Sequence, residues 1–122
     1  MDVLAIHEPD FAAELSLDAP LVTLRGSADI GKASQLGSWL EKVHEALVSA
    51  GAGSVTVDLR NLEFMSASAF NSLVTWLGSI HELPEAQRYK LHLRSNPDLA
   101  WQRRSLKTLT CFAVDLITVE VN

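Results

Sequence analysis

Cysteine is nearly missing from the chain: Cys111 stands alone among 122 residues. A single thiol closes no internal disulfide, and no Cys/His spacing resembles a zinc site. Basic charge is also scarce. Ten Lys and Arg against fifteen Asp and Glu leave a formal net charge of -5, which argues against general nucleic-acid or anionic-membrane binding, although a local basic patch stays open. Long apolar runs are missing too. The stretch from Phe64 to Ile80 carries no charge, yet Ser66, Ser68, Asn71, Ser72 and Ser79 interrupt it, making it too polar and too short for a membrane span. Met1-Asp2-Val3 has no basic segment leading into an apolar one, so no secretory signal is expected and the expected location is the cytoplasm. No P-loop, no Gly-x-Gly-x-x-Gly and no supported Ser/His/Asp order occurs. These absences point away from a secreted scaffold, a membrane protein and an enzyme with a large cleft. No cofactor and no metal are expected.

What is present suffices for one core. A chain of 13.3 kDa with 48% hydrophobic and 20% charged residues is one domain, residues 1–122. Two short apolar pieces, 3–6 and 11–17, open it. Leu21-Val22-Thr23-Leu24-Arg25 alternates and reads as a strand ended by Gly26. From Ala33 to Ala50 the period changes: Leu36, Leu40, Val43 and Leu47 share one helical face, and Gly51-Ala52-Gly53 stops the helix. Ser54 to Leu59 reads as a short buried strand, with a loop from Arg60 to Met65. A second helix pattern follows, with Phe70, Leu73, Val74, Leu77 and Ile80 or His81 recurring and Ser66 as its cap. It ends before Pro84. Tyr89 to Arg94 alternates, with Lys90, His92 and Arg94 on the wet side. Asn96-Pro97-Asp98 starts a third helix, expected to about Leu109 with Leu99, Leu106 and Leu109 inward. Val114 to Val121 reads as the last strand. The expected fold is α/β: a single mixed sheet of about four to five strands covered by helices.

Three segments carry a family resemblance. Leu24-Arg25-Gly26-Ser27-Ala28-Asp29 leads into the first helix. Val55-Thr56-Val57-Asp58-Leu59 is followed by Leu62, Phe64-Met65 and the second helix. A later strand ends in Asn96-Pro97. In order and spacing, over residues 21–121, this resembles the STAS domain family of anti-sigma-factor antagonists and related modules. Gly26 and Asp29 match the family's turn, with Ser27 where a Glu is usual. Aligning Met65 and Phe70 without a gap puts Ser66 on the family's Asp, Ala67 on its phosphorylated serine, Ser68 on its second serine and Ala69 on its glycine. The usual phosphoacceptor hydroxyl is thus missing.

The resemblance implies a non-enzymatic regulatory module. It would bind a kinase-type anti-sigma factor or similar regulatory kinase, with a serine phosphatase as a further partner. The implied contact surface is the helix after Met65 flanked by the first helix-turn: Ser27, Asp29, Ser66, Ala67, Ser68, Asn71 and Trp76. Phosphorylation moves to Ser66 or Ser68, or the switch is lost and the protein is a scaffold. An accessory subunit of a transport or lipid-trafficking ATPase assembly is the alternative.

Other residues have plainer readings. Trp39, Trp76 and Trp101 fall at the margins of their apolar stripes, either over the core edge or as a partner surface. Trp101-Gln102-Arg103-Arg104 with Lys107 makes a basic aromatic helix, to be solvated or paired with carboxylates; RNA binding is opposed by net charge. Asp29 and Asp58 read as turn and strand-end hydrogen-bonding groups rather than an acid–base pair. His7, His44, His81 and His92 show no ligand spacing. Cys111 is expected to be buried.

Overall fold

A computed structural model describes residues 4–121. Met1-Asp2-Val3 and Asn122, and with them part of the first apolar piece, lie outside the described residues. The elements are β1 (Leu4–Glu8), β2 (Phe11–Ser16), β3 (Leu21–Ala28), α1 (Ala33–Ser49), β4 (Ser54–Met65), α2 (Ala67–His81), β5 (Lys90–Ser95), α3 (Ala100–Phe112) and β6 (Ile117–Val121). Short 3-10 turns cover Ile30–Lys32 and Glu85–Gln87.

The six strands form one mixed sheet whose spatial order is the chain order, β1-β2-β3-β4-β5-β6. β1, β2 and β3 pair antiparallel; β3 through β6 pair parallel. The two opening apolar pieces therefore make strands of their own, and the sheet exceeds the expected four to five strands. All three crossovers step the same way, so right-handed connections place all three helices on one face. Burial agrees. Phe11, Ala13, Leu15, Val22, Leu24, Val55, Val57, Leu91 and Leu93 are buried beneath them, and Leu36, Leu40, Val43 and Leu47 of α1 close over that face as their spacing predicts. The helix cover is thus one-sided.

The other face of the sheet is open and polar. Asp58, Arg94 and Glu120 stand in register across β4, β5 and β6. Arg60 Nη2 meets Asp58 Oδ2 at 2.8 Å, and His92 bridges Thr118 Oγ1 at 2.7 Å and Glu120 at 3.2 Å. Lys90, His92 and Arg94 are on the wet face as alternation requires. The Arg60 hydrogen bond holds the Asp58 carboxyl below the usual carboxylate range.

Two expectations change around β4. The segment from Arg60 to Met65 is strand, not loop. Its pairing with β3 slips between Thr23 and Arg25 and again between Gly26 and Ser27. Those bulges put Leu59, Leu62 and Met65 in the core, a spacing of three that hides the period of two. Likewise β3 does not end at Gly26 but runs on to Ala28. Gly26 has φ +88°, and any side chain there would collide with the Asp10 carbonyl. That closeness lets the Ser27 N–H donate to Asp10 O at 2.8 Å.

At the far end, α3 begins at Ala100 rather than Asp98, with Leu99 as its half-buried cap residue. Asn96 explains the delay: its Oδ1 accepts from the Asp98 N–H at 2.9 Å, a local turn that competes with helix. The last strand begins at Ile117 instead of Val114, because a turn at 113–116 precedes it and leaves Val114 exposed. Cys111 is exposed, not buried; it lies on the outer face of α3, between the inward Leu106 and Leu109 and the buried Ala113.

Candidate functional site

In a parallel sheet, side chains that meet partners gather where strands end and helices begin. Here β3 ends at Ala28 beside the end of β4 at Met65. The Ser66 N–H donates to Ala28 O at 2.8 Å, pinning the start of α2 to the β3–α1 turn. Ser72 Oγ donates to Ala33 O at 3.3 Å, tying α2 to the first residue of α1.

Ser66 takes the extended cap conformation (φ -70°, ψ 163°), and its Oγ accepts from the Ala69 N–H at 3.1 Å. Its hydroxyl is therefore committed to the helix, as expected of a cap. Ala67 and Ser68 follow on the exposed first turn. No hydrogen bond engages the Ser68 hydroxyl among the described residues. Asn71, also exposed, lies four residues beyond Ala67 and three beyond Ser68, on the same side of α2. Across the strand ends, Asp29 Oδ1 accepts from the Gly31 N–H at 3.0 Å and orders the turn into α1. Ser27 pairs with Phe64.

Ser27, Asp29, Ser66, Ala67, Ser68 and Asn71 are thus brought to the ends of the two central strands, β3 and β4. Trp76 is not among them. It lies more than two turns further along α2, 3% exposed, and its Nε1–H donates to the Tyr89 hydroxyl at 2.7 Å. A buried indole facing the core offers nothing to a partner, so its expected contact role does not hold. Trp39 is buried as well, while Trp101 is half-buried and donates from Nε1 to Leu62 O at 3.2 Å. Asp29 and Asp58 each have their own partner, Gly31 and Arg60, and form no pair.

Phe64 belongs to the site without having been singled out. It is 48% exposed at the end of β4, turned out by the bulges that send Leu62 and Met65 inward. Only the two-bulge register reveals this. Charges of both signs flank these strand ends: Asp29 and Glu63, with Lys32 paired to Glu8 and Asp10. Next to Ser27 lies a shallow hollow of about 410 Å³ edged by Asp10, Arg25, Gly26 and Glu63. Among the described residues no group of three or more His, Cys, Asp or Glu could hold a metal, and no helix is long and apolar enough to cross a membrane.

Sheet order and one-sided helix layer give a STAS-like fold. The structure is similar to a solved anti-sigma factor antagonist from Mycobacterium paratuberculosis. The match has a TM-score of 0.55 and 15% identity, and covers 90% of this chain and 81% of that one. No protein-family model and no curated protein matches the sequence.

Proposed function

We propose that this chain is a non-catalytic regulatory module in the cytoplasm. It binds a kinase-type anti-sigma factor, or a related switch kinase, through the start of α2 and the β3–α1 turn. The observation that carries the reading is the convergence of Ser27, Asp29, Phe64, Ala67, Ser68 and Asn71 on one exposed edge of a fold like that of an anti-sigma factor antagonist. Phe64 supplies the large apolar contact that binding surfaces concentrate.

Ser68 is the favoured phosphoacceptor. Its hydroxyl is exposed and uncommitted, whereas that of Ser66 is engaged as a cap. A phosphate on Ser68 adds roughly 1.5 to 2 negative charges at a helix start that tolerates them locally. That charge repels an approaching acidic partner surface and is costly to bury against an apolar one. A serine phosphatase resets the switch.

The test is incubation with a co-encoded anti-sigma kinase and ATP, followed by mass spectrometry and binding measurements. Phosphate on Ser68, lost in Ser68→Ala, with weaker binding of the phosphorylated form, is the expected result. Ala67, with no hydroxyl where the resembling family carries one, favours a second reading: an unphosphorylated scaffold or an accessory subunit of a transport ATPase. Tight, phosphate-independent binding to such an ATPase, and none to the kinase, would establish that reading instead.

A further inference from the structure

Two strands beyond β4, β6 is the last strand of the sheet, and among the described residues no strand pairs with its outer edge. The Leu91 N–H donates to Leu116 O at 2.8 Å. In a parallel ladder this alternation turns the Ile117 and Val119 backbone groups away from β5. The Ile117 N–H is taken by Ala113 O at 3.1 Å, which leaves the Ile117 carbonyl and the Val119 N–H and C=O at the outer edge. Such an edge is a template for another strand.

Above it runs a groove of about 290 Å³ between α3 and β6, with Pro97, Leu106, Thr110 and Val119 in its lining and Arg103 and Lys107 at its rim. Its surface is overwhelmingly apolar, and Val119 is 39% exposed there. Arg103 and Lys107 are four residues apart on α3, both exposed. Among the described residues neither has a carboxylate within 4.0 Å. The helix from Ala100 to Phe112 contains no acidic residue, in a chain whose net charge is -5. Like charges at this spacing repel each other, and a carboxylate between them relieves that repulsion.

We propose that this groove docks an extended acidic segment of a partner protein, which adds to β6 as a seventh strand. The main chain of the segment pairs with the Ile117 carbonyl and with the N–H and C=O of Val119. One apolar side chain enters the groove over Val119 and Leu106. Carboxylates two residues to either side, on the same face of the added strand, meet Arg103 and Lys107. A second copy of this chain is a poorer occupant. Two β6 edges paired across a two-fold axis would set two cationic α3 rims against each other. The surface is separate from the α2 start and does not depend on the function proposed for it.

The probe is a labelled peptide, acetyl-Thr-Glu-Thr-Leu-Thr-Glu-Thr-amide, with the Lys-for-Glu peptide as its control. Binding is followed by fluorescence polarisation and by NMR of the isotope-labelled protein. Saturable binding of the acidic peptide alone, with amide shifts in β6 and α3, is expected. Reversing both rim charges (Arg103→Glu with Lys107→Glu, exposed positions that leave folding intact) should weaken it about tenfold or more, as two lost ion pairs imply. Val119→Pro deletes an outward N–H and should abolish binding with the far-ultraviolet circular dichroism unchanged. If that variant unfolds, the rim reversal alone decides. The proposal is overturned by equal binding of both peptides, by no binding at millimolar peptide, by indifference to the rim reversal, or by a concentration-dependent dimer that blocks the peptide.

Discussion

The α1–α2 half of the helix layer and the α3–β6 end are built on different principles. Over α1 and α2 the core is apolar volume, with Leu36, Leu40, Val43, Leu47, Leu73, Leu77 and Ile80 interlocked. A small polar cluster lies within it. The Tyr89 hydroxyl accepts from Trp76 and meets His44 Nδ1 at 2.7 Å, so the network assigns His44 the tautomer protonated at Nε2, with Tyr89 as donor. Burial pushes His44 down despite Glu45 and Glu82 nearby, and pushes the Tyr89 hydroxyl well up.

At the α3 end a buried amide takes the place of apolar volume. Gln102 Nε2 donates to Leu59 O and Leu62 O at 2.6 and 3.2 Å, and its Oε1 accepts from the Asn96 N–H at 2.8 Å. Those carbonyls flank the first bulge of β4, where ladder bonding is interrupted. The same region leaves Phe112 60% and Val114 73% exposed. Close packing secures one half, while directed hydrogen bonds secure the other and leave it open at its edge.

The widest gap between the halves should appear on truncation. Leu77→Ala is expected to cost about 2–5 kcal/mol of unfolding free energy in urea, while Phe112→Ala stays within about 0.5 kcal/mol. Equal costs would erase the distinction. Next come the two polar hubs. Gln102→Leu strands the Leu59 carbonyl and the Asn96 N–H, while Leu62 O keeps Trp101 as a donor. Tyr89→Phe strands the Trp76 and His44 nitrogens. Each should cost about 1–3 kcal/mol by the same measurement. A neutral Gln102→Leu would mean that α3 is held by apolar contact after all.

Ser66→Ala should cost about 1 kcal/mol through loss of the α2 cap, with Ser68→Ala near zero. Thermal melts of both variants separate the structural serine from the free one. The smallest effect is the response to pH. His44 titrates below its unfolded value of about 6.5. Full stability is therefore present above that value and declines as pH falls through the folded pKa. The decline should stay under about 1 kcal/mol because the ring is partly solvated, and His44→Gln should flatten that part of a stability profile between pH 7.5 and 5.

These contrasts also mark what can be read from the chain alone. Helices α1 and α2 carry their burial in their spacing, and Tyr89, Leu91 and Leu93 carry β5. The convergence at the α2 start follows once Met65 and Ser66 are recognised as a strand end and a cap. What stays hidden is whatever depends on register between distant segments. The two slips of β4 against β3 disguise Arg60 to Met65 as a loop and conceal that Phe64 points outward. Gln102 reads as a surface residue in a basic helix until the unpaired carbonyls at the bulge are in place. Trp76 sits at the margin of an apolar stripe, and only its partner Tyr89, thirteen residues away, draws it inside.

The strictly sequential strand order has a consequence for how the chain assembles. Each strand pairs with the one made just before it, β1 to β3 through short turns and β3 to β6 through helix-bearing crossovers. The sheet can grow one strand at a time during synthesis, with β6 added last. It also separates the outermost strands by five inter-strand spacings, about 24 Å at the usual strand separation. A reporter fused ahead of β1 would therefore leave the β6 edge clear, whereas one fused directly after β6 would crowd it.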